Sequence, residues 1–595
     1  MNLSDAILIY TKKSMCGIAG LASNQEIRNE LTSDILKEMS ELLAHRGPDD
    51  TATYLSPRCG MMIRRLSILD LTPGLYPFYS EDKSKVLVFN GEIYNYPELK
   101  KELQDLGCEF KTGCDAEAIL LGYEKFGNNI FEKLQGMFAI SIWDDKEQKL
   151  TLVRDRIGIK PLYYYQENEQ IYFASEAKAI IKSKSLGKNF TIDKHMAELL
   201  IGFMYLPESD STIINGIKKL PPASILEFQG GHVKITKFWE LTVNNAYADL
   251  SFEDAKNQLE ALLIDTVKKH MLSDVEVGVM LSGGVDSGLL TAILTKELGY
   301  KDIHTFTGAF DSKYNESDLA NETSHYLGTN HHELKVDLTQ TAQNIEDLIT
   351  SFDDLTTFDA GLITTKLISK KIKELGYKVV LLGEGADEIF GGYSWFGLSQ
   401  IPYKYAPKYL VNFAYYYATT RNLFYKPFKY VNYITSKNIL TNSFESISNY
   451  ETSVQLPNHL LMKVDKGSMA GSVEARVPYL DHKLVEFVYS LNPSFKLKGI
   501  EKYILREIAK KYLPEETAVR KKKGFLFPMG EFLTANQEMV KSYVLDQNSY
   551  SGNFLTSTQK TDLFNKSGNN LLNMHREYLL WKLFVLDVWT KVYNL

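Results

Sequence analysis

Short segments of alternating hydrophobic and polar residues fill the first 200 positions of the chain. Strands are predicted at residues 86–89, 137–143, 150–153 and 171–174, and turn-forming residues separate several of them. Two stretches with helical periodicity, at about 30–44 and 115–126, interrupt the series. Short strands mixed with a few longer helices predict an α+β layered sandwich.

A different pattern follows residue 216, where the periodicity of the first part stops. Helices are then predicted at 252–271, 289–298 and 317–327, and they alternate with strands predicted at 275–281, 303–307 and 378–382. This alternation is typical of βαβ units around a parallel sheet. Beyond about residue 395 we expect a mostly helical, aromatic-rich region.

The length of 595 residues, together with this change of pattern, predicts at least two domains. We expect residues 1–15 to be a leader or a misassigned start, and residues 16–215 to form a first domain. Residues 216–240 are predicted to be a connecting segment, and residues 241–595 a second domain.

Composition narrows the class of protein. The 44% hydrophobic and 24% charged fractions are those of a soluble globular protein, and a net charge of -7 indicates neither nucleic acid nor a membrane surface as a partner. No apolar run approaches the roughly 18–20 residues that span a bilayer. Four cysteines form neither zinc-site pairs nor a disulfide framework, so a cytoplasmic location is expected. The basic run at 520–523 is either a solvated face or an anion site.

Cys16 follows Met15 directly and has small residues around it. One interpretation is a buried structural cysteine, since that is the common environment of this residue. The alternative is a nucleophile at a processed amino terminus. If the residues up to Met15 are removed, the α-amine of Cys16 can act as general base for its own thiol, and no histidine is needed.

Such a thiolate attacking a carboxamide requires donors for the oxyanion that develops. Asn90 and Gly91 directly follow a predicted strand and offer a side-chain amide and an approachable backbone N–H. An Asn-Gly pair after a strand is equally typical of a hairpin turn.

In the second half, a predicted strand runs into the sequence SGGVDS at 282–287 and then into a helix. Backbone N–H groups of such a turn bind phosphate oxygens, although a simple glycine turn is the alternative. A second acidic, glycine-rich segment at 383–393 follows another apolar strand, where ligands bind in open parallel sheets. Asp286 and Asp387 are therefore predicted Mg²⁺ ligands, unless they only cap helices.

Six motifs resemble the class II glutamine amidotransferase domain, in its order and over about 125 residues: CGIAG at 16–20, HRGPDD at 45–50, RRLSILD at 64–70, NGEIYN at 90–95, TGCD at 112–115 and LQGMFA at 134–139. The resemblance implies an αββα sandwich with an N-terminal nucleophile. It also implies Cys16 as that nucleophile and Asn90 with Gly91 as the oxyanion hole. The glutamine-binding residues that it implies are Arg65, Leu66, Ser67, Ile68, Leu69, Asn90, Gly91, Glu92 and Asp115.

Most of residues 200–530 resemble the asparagine synthetase domain. The motifs are LSGGVDS at 281–287, GEGADEIFGGY at 383–393, KVDKGSMA at 463–470, SVEARVPYLD at 472–481, EKYILR at 501–506 and KGF at 523–525. The resemblance implies an α/β parallel-sheet fold like that of adenine nucleotide alpha hydrolases, with extra helices. It places ATP and pyrophosphate at Leu281, Ser282, Gly283, Gly284, Asp286, Ser287, Gly308, Leu382, Gly383 and Lys502. Glu384 would lie close to the activated carboxylate, and Lys502 would neutralise the leaving pyrophosphate.

Three positions depart from the family pattern. Residues before Cys16 must be absent from the active protein, because an amide nitrogen cannot act as base. Ile63 stands where many members have histidine, and we expect altered packing rather than altered chemistry. Leu382 stands where serine is common, which removes one expected contact with the nucleotide.

The resemblance implies an enzyme that hydrolyses glutamine, transfers ammonia internally and uses ATP with Mg²⁺ to amidate a carboxylate. Aspartate is the expected acceptor, and a homodimer is one expected assembly. The alternative acceptor is another carboxylate, such as a sugar acid, a peptide or a secondary metabolite, because Asp353, Asp354 and residues 356–359 do not form a clear aspartate motif. A silent scaffold is disfavoured because Cys16, Asp286 and Asp387 are all present. An RNA-modifying ligase is disfavoured by the acidic charge.

Overall fold

The computed structural model describes residues 16–65, 67–72, 74, 76–310, 317–401, 407–437, 443–521, 527–565 and 570–595. The expected leader at 1–15, the predicted glutamine ligand Leu66 and the KGF motif at 523–525 lie outside the described residues.

The strands, in chain order, are β1 (Gly17–Ser23), β2 (Asp50–Leu55), β3 (Cys59–Arg65), β4 (Phe78–Tyr79), β5 (Lys85–Ile93), β6 (Gly136–Asp144), β7 (Lys149–Arg154), β8 (Tyr163–Glu167), β9 (Gln170–Ala174), β10 (Ile217–Lys219), β11 (Ser224–Gln229), β12 (His232–Lys237), β13 (Val277–Met280), β14 (His304–Phe310), β15 (Asn330–Val336), β16 (Val379–Leu381) and β17 (Glu474–Arg476).

The helices are α1 (Asn29–Leu42), α2 (Tyr96–Asp105), α3 (Asp115–Phe126), α4 (Ile130–Lys133), α5 (Lys178–Ile181), α6 (Lys194–Phe203), α7 (Asn245–Ala248), α8 (Phe252–His270), α9 (Val285–Ala292), α10 (Ser317–Leu327), α11 (Leu338–Gln343), α12 (Ile345–Ile349), α13 (Gly361–Glu374), α14 (Ala386–Phe390), α15 (Lys408–Thr420), α16 (Pro427–Ser436), α17 (Phe444–Tyr450), α18 (Leu461–Ala470), α19 (His482–Ser490), α20 (Tyr503–Ala509), α21 (Glu515–Val519), α22 (Met529–Ala535), α23 (Gln537–Val544), α24 (Ser557–Asp562) and α25 (Asn570–Tyr593).

Two six-stranded sheets form the first half of the protein, in the orders β10-β8-β9-β1-β3-β2 and β12-β11-β7-β6-β5-β4. Their facing side chains share one buried core, in which Ile18 and Ile63 of the first sheet pack with Val88 and Ile140 of the second. Helix α1 covers the first sheet and α3 covers the second. The predicted αββα layering is therefore confirmed, because each sheet buries one face against the other sheet and one against helices.

The segment predicted to connect the domains is built into this sandwich. Strand β10 pairs with β8, while β11 pairs with both β7 and β12. The long periodic runs stop at residue 216 because the strands that follow are short and are joined by tight turns. The first folding unit continues to about residue 237.

A five-stranded parallel sheet, in the order β15-β14-β13-β16-β17, forms the centre of the second half. The predicted helices at 252–271 and 317–327 are confirmed as α8 and α10. The helix predicted at 289–298 starts earlier, as α9 at Val285, and its last turns are a π-helical segment. The region after residue 395 is mostly helical, as predicted.

Buried ion pairs join the two halves. Arg46 donates to Asp465 Oδ2 at 2.8 Å and to Glu176 Oε1 at 2.8 Å, and its side chain is fully buried. Asp353 also reaches the first half, because its side-chain carboxylate accepts from the N–H groups of Ala177 and Lys178 at 2.9 and 2.7 Å. A search of the described helices finds none that is long and apolar enough to cross a membrane.

Candidate active sites

One pocket brings together seven of the residues predicted to hold or attack glutamine. They are Cys16, Arg65, Ile68, Leu69, Gly91, Glu92 and Asp115. Ser67 and Asn90 are not in its lining, although each is a chain neighbour of a lining residue. Tyr76, Phe89, Cys114 and Glu474 complete the wall and were not predicted from the sequence.

Cys16 is half-buried and lies directly before β1. The strand is fixed at its start because the N–H of Ile18 donates to Ser175 Oγ at 3.0 Å. Hydrogen bonds to β3 and β9 on both sides then hold β1 in the sheet. The thiol is therefore presented at the end of a rigid element, which is where a reacting group is positioned most accurately.

Asn90 and Gly91 lie inside β5, paired with Ala139 and Phe138 of β6. The hairpin-turn alternative is therefore wrong. The Nδ2 atom of Asn90 is buried and has no hydrogen-bond partner among the described residues. A Cβ atom at Gly91 would lie 2.0 Å from the Met137 carbonyl oxygen, so only glycine fits. A buried amide donor without a partner is what an oxyanion site provides before substrate binds.

Arg65 organises the loop that follows β3. Its Nη1 donates to the Thr72 carbonyl at 2.5 Å, and its Nη2 donates to the Asp70 carbonyl. The Asp70 N–H in turn donates to Asp274 Oδ2 at 2.7 Å, and the Asp274 N–H donates to the Ile68 carbonyl at 2.9 Å. The loop that contributes to the Cys16 pocket is thus anchored to a residue of the second half.

Two buried acids, Glu92 and Asp115, face the same pocket. Burial raises the pKa of Asp115 to about 6, against hydrogen bonds that include one from the Ile93 N–H at 2.9 Å. Burial also raises the pKa of Glu92 well above its ordinary value, and the Arg476 guanidinium opposes that rise. Arg476 lies 3.0 Å from Glu92 Oε2. Arg476 belongs to the SVEARVPYLD motif at 472–481, but nothing in that motif indicates that Arg476 pairs with Glu92.

The predicted pyrophosphate loop follows β13, the central strand of the parallel sheet. The Ser282 N–H donates to Ser287 Oγ at 3.0 Å, and the Gly284 N–H donates to Ser282 Oγ at 3.2 Å, so the turn is closed on itself. Arg520 donates to the Gly283 carbonyl at 3.0 Å, which places the start of the basic run beside the loop.

The remaining predicted nucleotide residues lie on the two strands that flank β13. Gly308 is in β14, while Leu382 and Gly383 directly follow β16. A Cβ atom at Gly383 would lie 3.0 Å from Asp286 Cβ, so the two loops are in close contact. The structure therefore brings Leu281, Ser282, Gly283, Gly284, Ser287, Gly308, Leu382 and Gly383 together at the carboxyl edge of three neighbouring strands.

Lys502 lies between the two predicted metal ligands, with Nζ at 2.6 Å from Asp286 Oδ2 and 2.6 Å from Asp387 Oδ1. Both carboxylates belong to first turns of helices, α9 and α14. No cluster of three or more metal-ligating side chains is found in the described part of the chain. Two carboxylates fit Mg²⁺ nevertheless, because this ion is held by one or two carboxylates together with phosphate oxygens of the substrate.

Glu384 is one residue beyond Gly383 and accepts a hydrogen bond from Lys463 Nζ at 3.1 Å. Lys463 is also 3.8 Å from Asp359 Oδ2, and His459 Nε2 is 3.3 Å from the same oxygen. Desolvation alone would raise the pKa of the partly exposed Asp359, but the charge of Lys463 holds this pKa well below its ordinary value. Charges of both signs therefore surround the place predicted for the acceptor.

Comparison with known families accounts for nearly the whole chain. The asparagine synthase model matches residues 258–591, and the glutamine amidotransferase domain model matches residues 15–239. The chain belongs to the asparagine synthase family. Glutamine-hydrolyzing asparagine synthetase 1 of Bacillus subtilis (strain 168) is 30% identical, covering 87% of this chain and 88% of that protein. Glutamine-hydrolyzing asparagine synthetase B of Escherichia coli (strain K12) is 32% identical, covering 91% and 87%.

Within this asparagine synthase family member, the Cys16 pocket is not confined to the amidotransferase match. Glu474 lines the pocket, and Arg476 pairs with Glu92, yet both belong to the synthase match. Of the two side chains that depart from the family pattern, Ile63 is buried in the core between the sheets. Leu382 is bonded through its N–H to the Arg476 carbonyl at 2.8 Å.

Proposed function

We propose that this protein is a glutamine-dependent asparagine synthetase. It converts ATP, L-aspartate, L-glutamine and water into AMP, diphosphate, L-asparagine and L-glutamate. The observation that supports this most is the presence, in one chain, of a cysteine pocket with an unpartnered amide donor and of a parallel-sheet edge with Asp286, Asp387 and Lys502. The similarity to glutamine-hydrolyzing asparagine synthetases supports aspartate as the acceptor.

In the first reaction, Cys16 is the nucleophile and its own α-amine, freed by removal of the preceding residues, takes the thiol proton. The sulfur attacks the side-chain carbonyl carbon of glutamine, and the oxyanion is stabilised by Asn90 Nδ2 and the Gly91 N–H. Collapse of this intermediate expels ammonia with the proton returned by the amine. Water then cleaves the thioester and releases glutamate.

Recognition of glutamine is assigned to the charged side chains of the same pocket. Glu92 and Asp115 receive the α-ammonium, while Arg65 with the loop at 66–69 receives the α-carboxylate, in keeping with the geometry of guanidinium and carboxylate groups. The buried position of both acids strengthens the attraction for an ammonium ion because the surroundings have low polarity.

In the second reaction, an acceptor carboxylate oxygen attacks the α-phosphorus of ATP and diphosphate leaves, which forms an acyl-adenylate. Asp286 and Asp387 are proposed to hold Mg²⁺, which supplies positive charge to the phosphate oxygens when bound. The ammonium group of Lys502 neutralises part of the charge on the leaving diphosphate. The loop at 282–287 binds the diphosphate through backbone N–H groups. Ammonia then attacks the acyl carbon, Glu384 accepts a proton, and AMP leaves.

Ammonia must reach the adenylate without entering bulk water, where it would be protonated. The contact of Glu474 and Arg476 with the glutamine pocket supports an internal transfer between the two halves.

We also propose a cytoplasmic location for the protein and a homodimer as its assembly. Sedimentation at several protein concentrations is the measurement that tests the homodimer.

The test is a stoichiometric assay of the purified protein with ATP, Mg²⁺, glutamine and aspartate. Asparagine, glutamate, AMP and diphosphate should form in equal amounts. Diphosphate release that depends on a different carboxylate, with none that depends on aspartate, would instead support the alternative acceptor. Absence of asparagine together with absence of aspartate-dependent diphosphate rules out the proposed reaction.

A further inference from the structure

Arg476 is a fully buried arginine at the end of β17, the edge strand of the parallel sheet. Its guanidinium is held in one orientation by the carbonyl oxygens of His270 and Leu272, at 2.8 and 2.7 Å from Nη1. Its Nε donates to Glu474 Oε1 at 2.9 Å. Its Nη2 donates across to the first half of the protein, to Glu92 Oε2 at 3.0 Å, and its Cζ lies 5.7 Å from the centre of the Tyr94 ring.

The two oxygens of Glu92 have different surroundings. Oε2 is bonded to Arg476, whereas Oε1 is buried and has no hydrogen-bond partner among the described residues. Glu92 lines the pocket that contains Cys16. A buried carboxylate oxygen without a donor costs free energy, and a cationic ligand group would remove that cost.

We propose that Arg476 is a positioning residue for glutamine recognition. From the synthase part of the chain it holds one oxygen of Glu92, and so directs the other oxygen towards the α-ammonium of glutamine. This inference rests on the proposed function, because it assigns a task in the glutaminase reaction to a residue outside the amidotransferase match.

Arg476 suits this task because its orientation is fixed on the side away from the pocket. Four donor–acceptor contacts leave the guanidinium little freedom to rotate, and a fixed partner fixes the carboxylate. A lysine would retain the charge, but it would lack the planar fork that bonds Glu92 and the two carbonyls together.

The backbone of Arg476 connects the same residue to the nucleotide site. Arg476 pairs with Leu381 in the sheet, and its carbonyl accepts from the Leu382 N–H at 2.8 Å. Leu382 and Gly383 are predicted nucleotide contacts. The residue whose side chain positions Glu92 is therefore hydrogen-bonded through its backbone to the segment predicted to contact ATP.

The experiment compares glutamine with glutaramate, the analogue that has the same carboxamide and carboxylate but no α-amino group. The full chain, with its amino terminus verified as Cys16, is assayed for ammonia release as wild type, Arg476→Met and Arg476→Lys. In Arg476→Met we expect kcat/KM for glutamine to fall at least about tenfold, mostly through KM, and kcat/KM for glutaramate to change less than about twofold. Arg476→Lys should give an intermediate preference for glutamine.

Arg154→Lys is the matched control. Arg154 is also buried, but its donors go to the carbonyl oxygens of Lys160, Gly158 and Leu220, away from the glutamine pocket. The Arg154→Lys variant should keep the wild-type ratio of kcat/KM for glutamine to kcat/KM for glutaramate. Equal losses on both substrates in either Arg476 variant would mean a general effect on the fold, and an unchanged ratio would mean no role in recognition. Either result overturns the proposal. A wild-type protein that releases ammonia from neither substrate would overturn the proposed function itself.

Discussion

The ammonium of Lys502 lies 2.6 Å from Oδ2 of Asp286, at the edge of the parallel sheet where the predicted nucleotide residues meet. The lysine side chain is 2% exposed and that of Asp286 is 17% exposed, so the ion pair is largely screened from solvent. Asp387 shares the same ammonium. Removal of the lysine would take from both carboxylates the ammonium that they share.

Replacement of Lys502 by methionine tests this arrangement. Diphosphate formation should fall at least about 100-fold, because the charge that stabilises the leaving group is lost. Glutaminase activity should persist. The free energy of unfolding should fall by about 3–5 kcal/mol, as for other buried pairs that lose one partner. Addition of Mg²⁺ without nucleotide should raise the Tm of the variant more than that of the wild type, and an equal rise in both would argue against Asp286 and Asp387 as the metal ligands.

Replacement of Cys16 by alanine separates the two reactions. Glutamine-dependent synthesis should be lost, while synthesis from ammonium salts should remain, because ammonia enters the second reaction as such. Loss of both activities in a folded variant would contradict the division of labour between the two sites. Mass spectrometry of the active protein should find Cys16 as its first residue, and an active glutaminase that retains residues 1–15 would exclude the α-amine as base.

A Gly91→Ala substitution should abolish glutaminase activity. The added Cβ would lie 2.0 Å from the Met137 carbonyl oxygen, so β5 and β6 must separate at the proposed oxyanion hole. Thermal unfolding should show a loss of at least about 1–3 kcal/mol, as for overpacked cores. Gly552→Ala is the control, since among the described residues no atom beyond its two chain neighbours lies within 4 Å of the position of its Cβ. It should leave activity unchanged.

Glutamine recognition should weaken in acid. Burial raises the pKa of Asp115 to about 6, and only the carboxylate attracts an ammonium ion, so kcat/KM for glutamine should fall as the pH drops through about 6. The same decrease should be absent for glutaramate, which has no ammonium group. An acid decrease of equal size for both substrates would assign it to another group. Since the folded pKa is above the unfolded one, the protonated form of Asp115 favours folding, and this contribution is lost as the pH rises through about 6.

Sequence alone predicted what contiguous residues determine. The strand and the glycine-rich loop around Ser282, and the strand that leads into Asn90, follow from local periodicity and turn chemistry. The helix after the loop begins at Val285, earlier than predicted. The assignment of Cys16 as the nucleophile, which was drawn from the residue before it and from the family motif, stays a prediction. The pairing of Glu92 with Arg476 could not be predicted in this way, since 384 positions separate the two residues. Strand β10 was missed because it has only three residues, and the partners of β10 and β11, which are β8 and β7, lie far earlier in the chain.

The pairing of β11 with β7 also determines where the chain can be cut to produce its first half as a separate fragment. A fragment that stops at residue 215 would leave β7 with an open row of backbone donors and acceptors, and such edges promote association between copies. Extending the fragment to residue 239 covers that edge with β11 and β12, but Glu474 and Arg476 would still be missing from the substrate cavity. The first half therefore depends on the second half, which contributes part of the wall of the Cys16 pocket and is proposed to receive the ammonia released there.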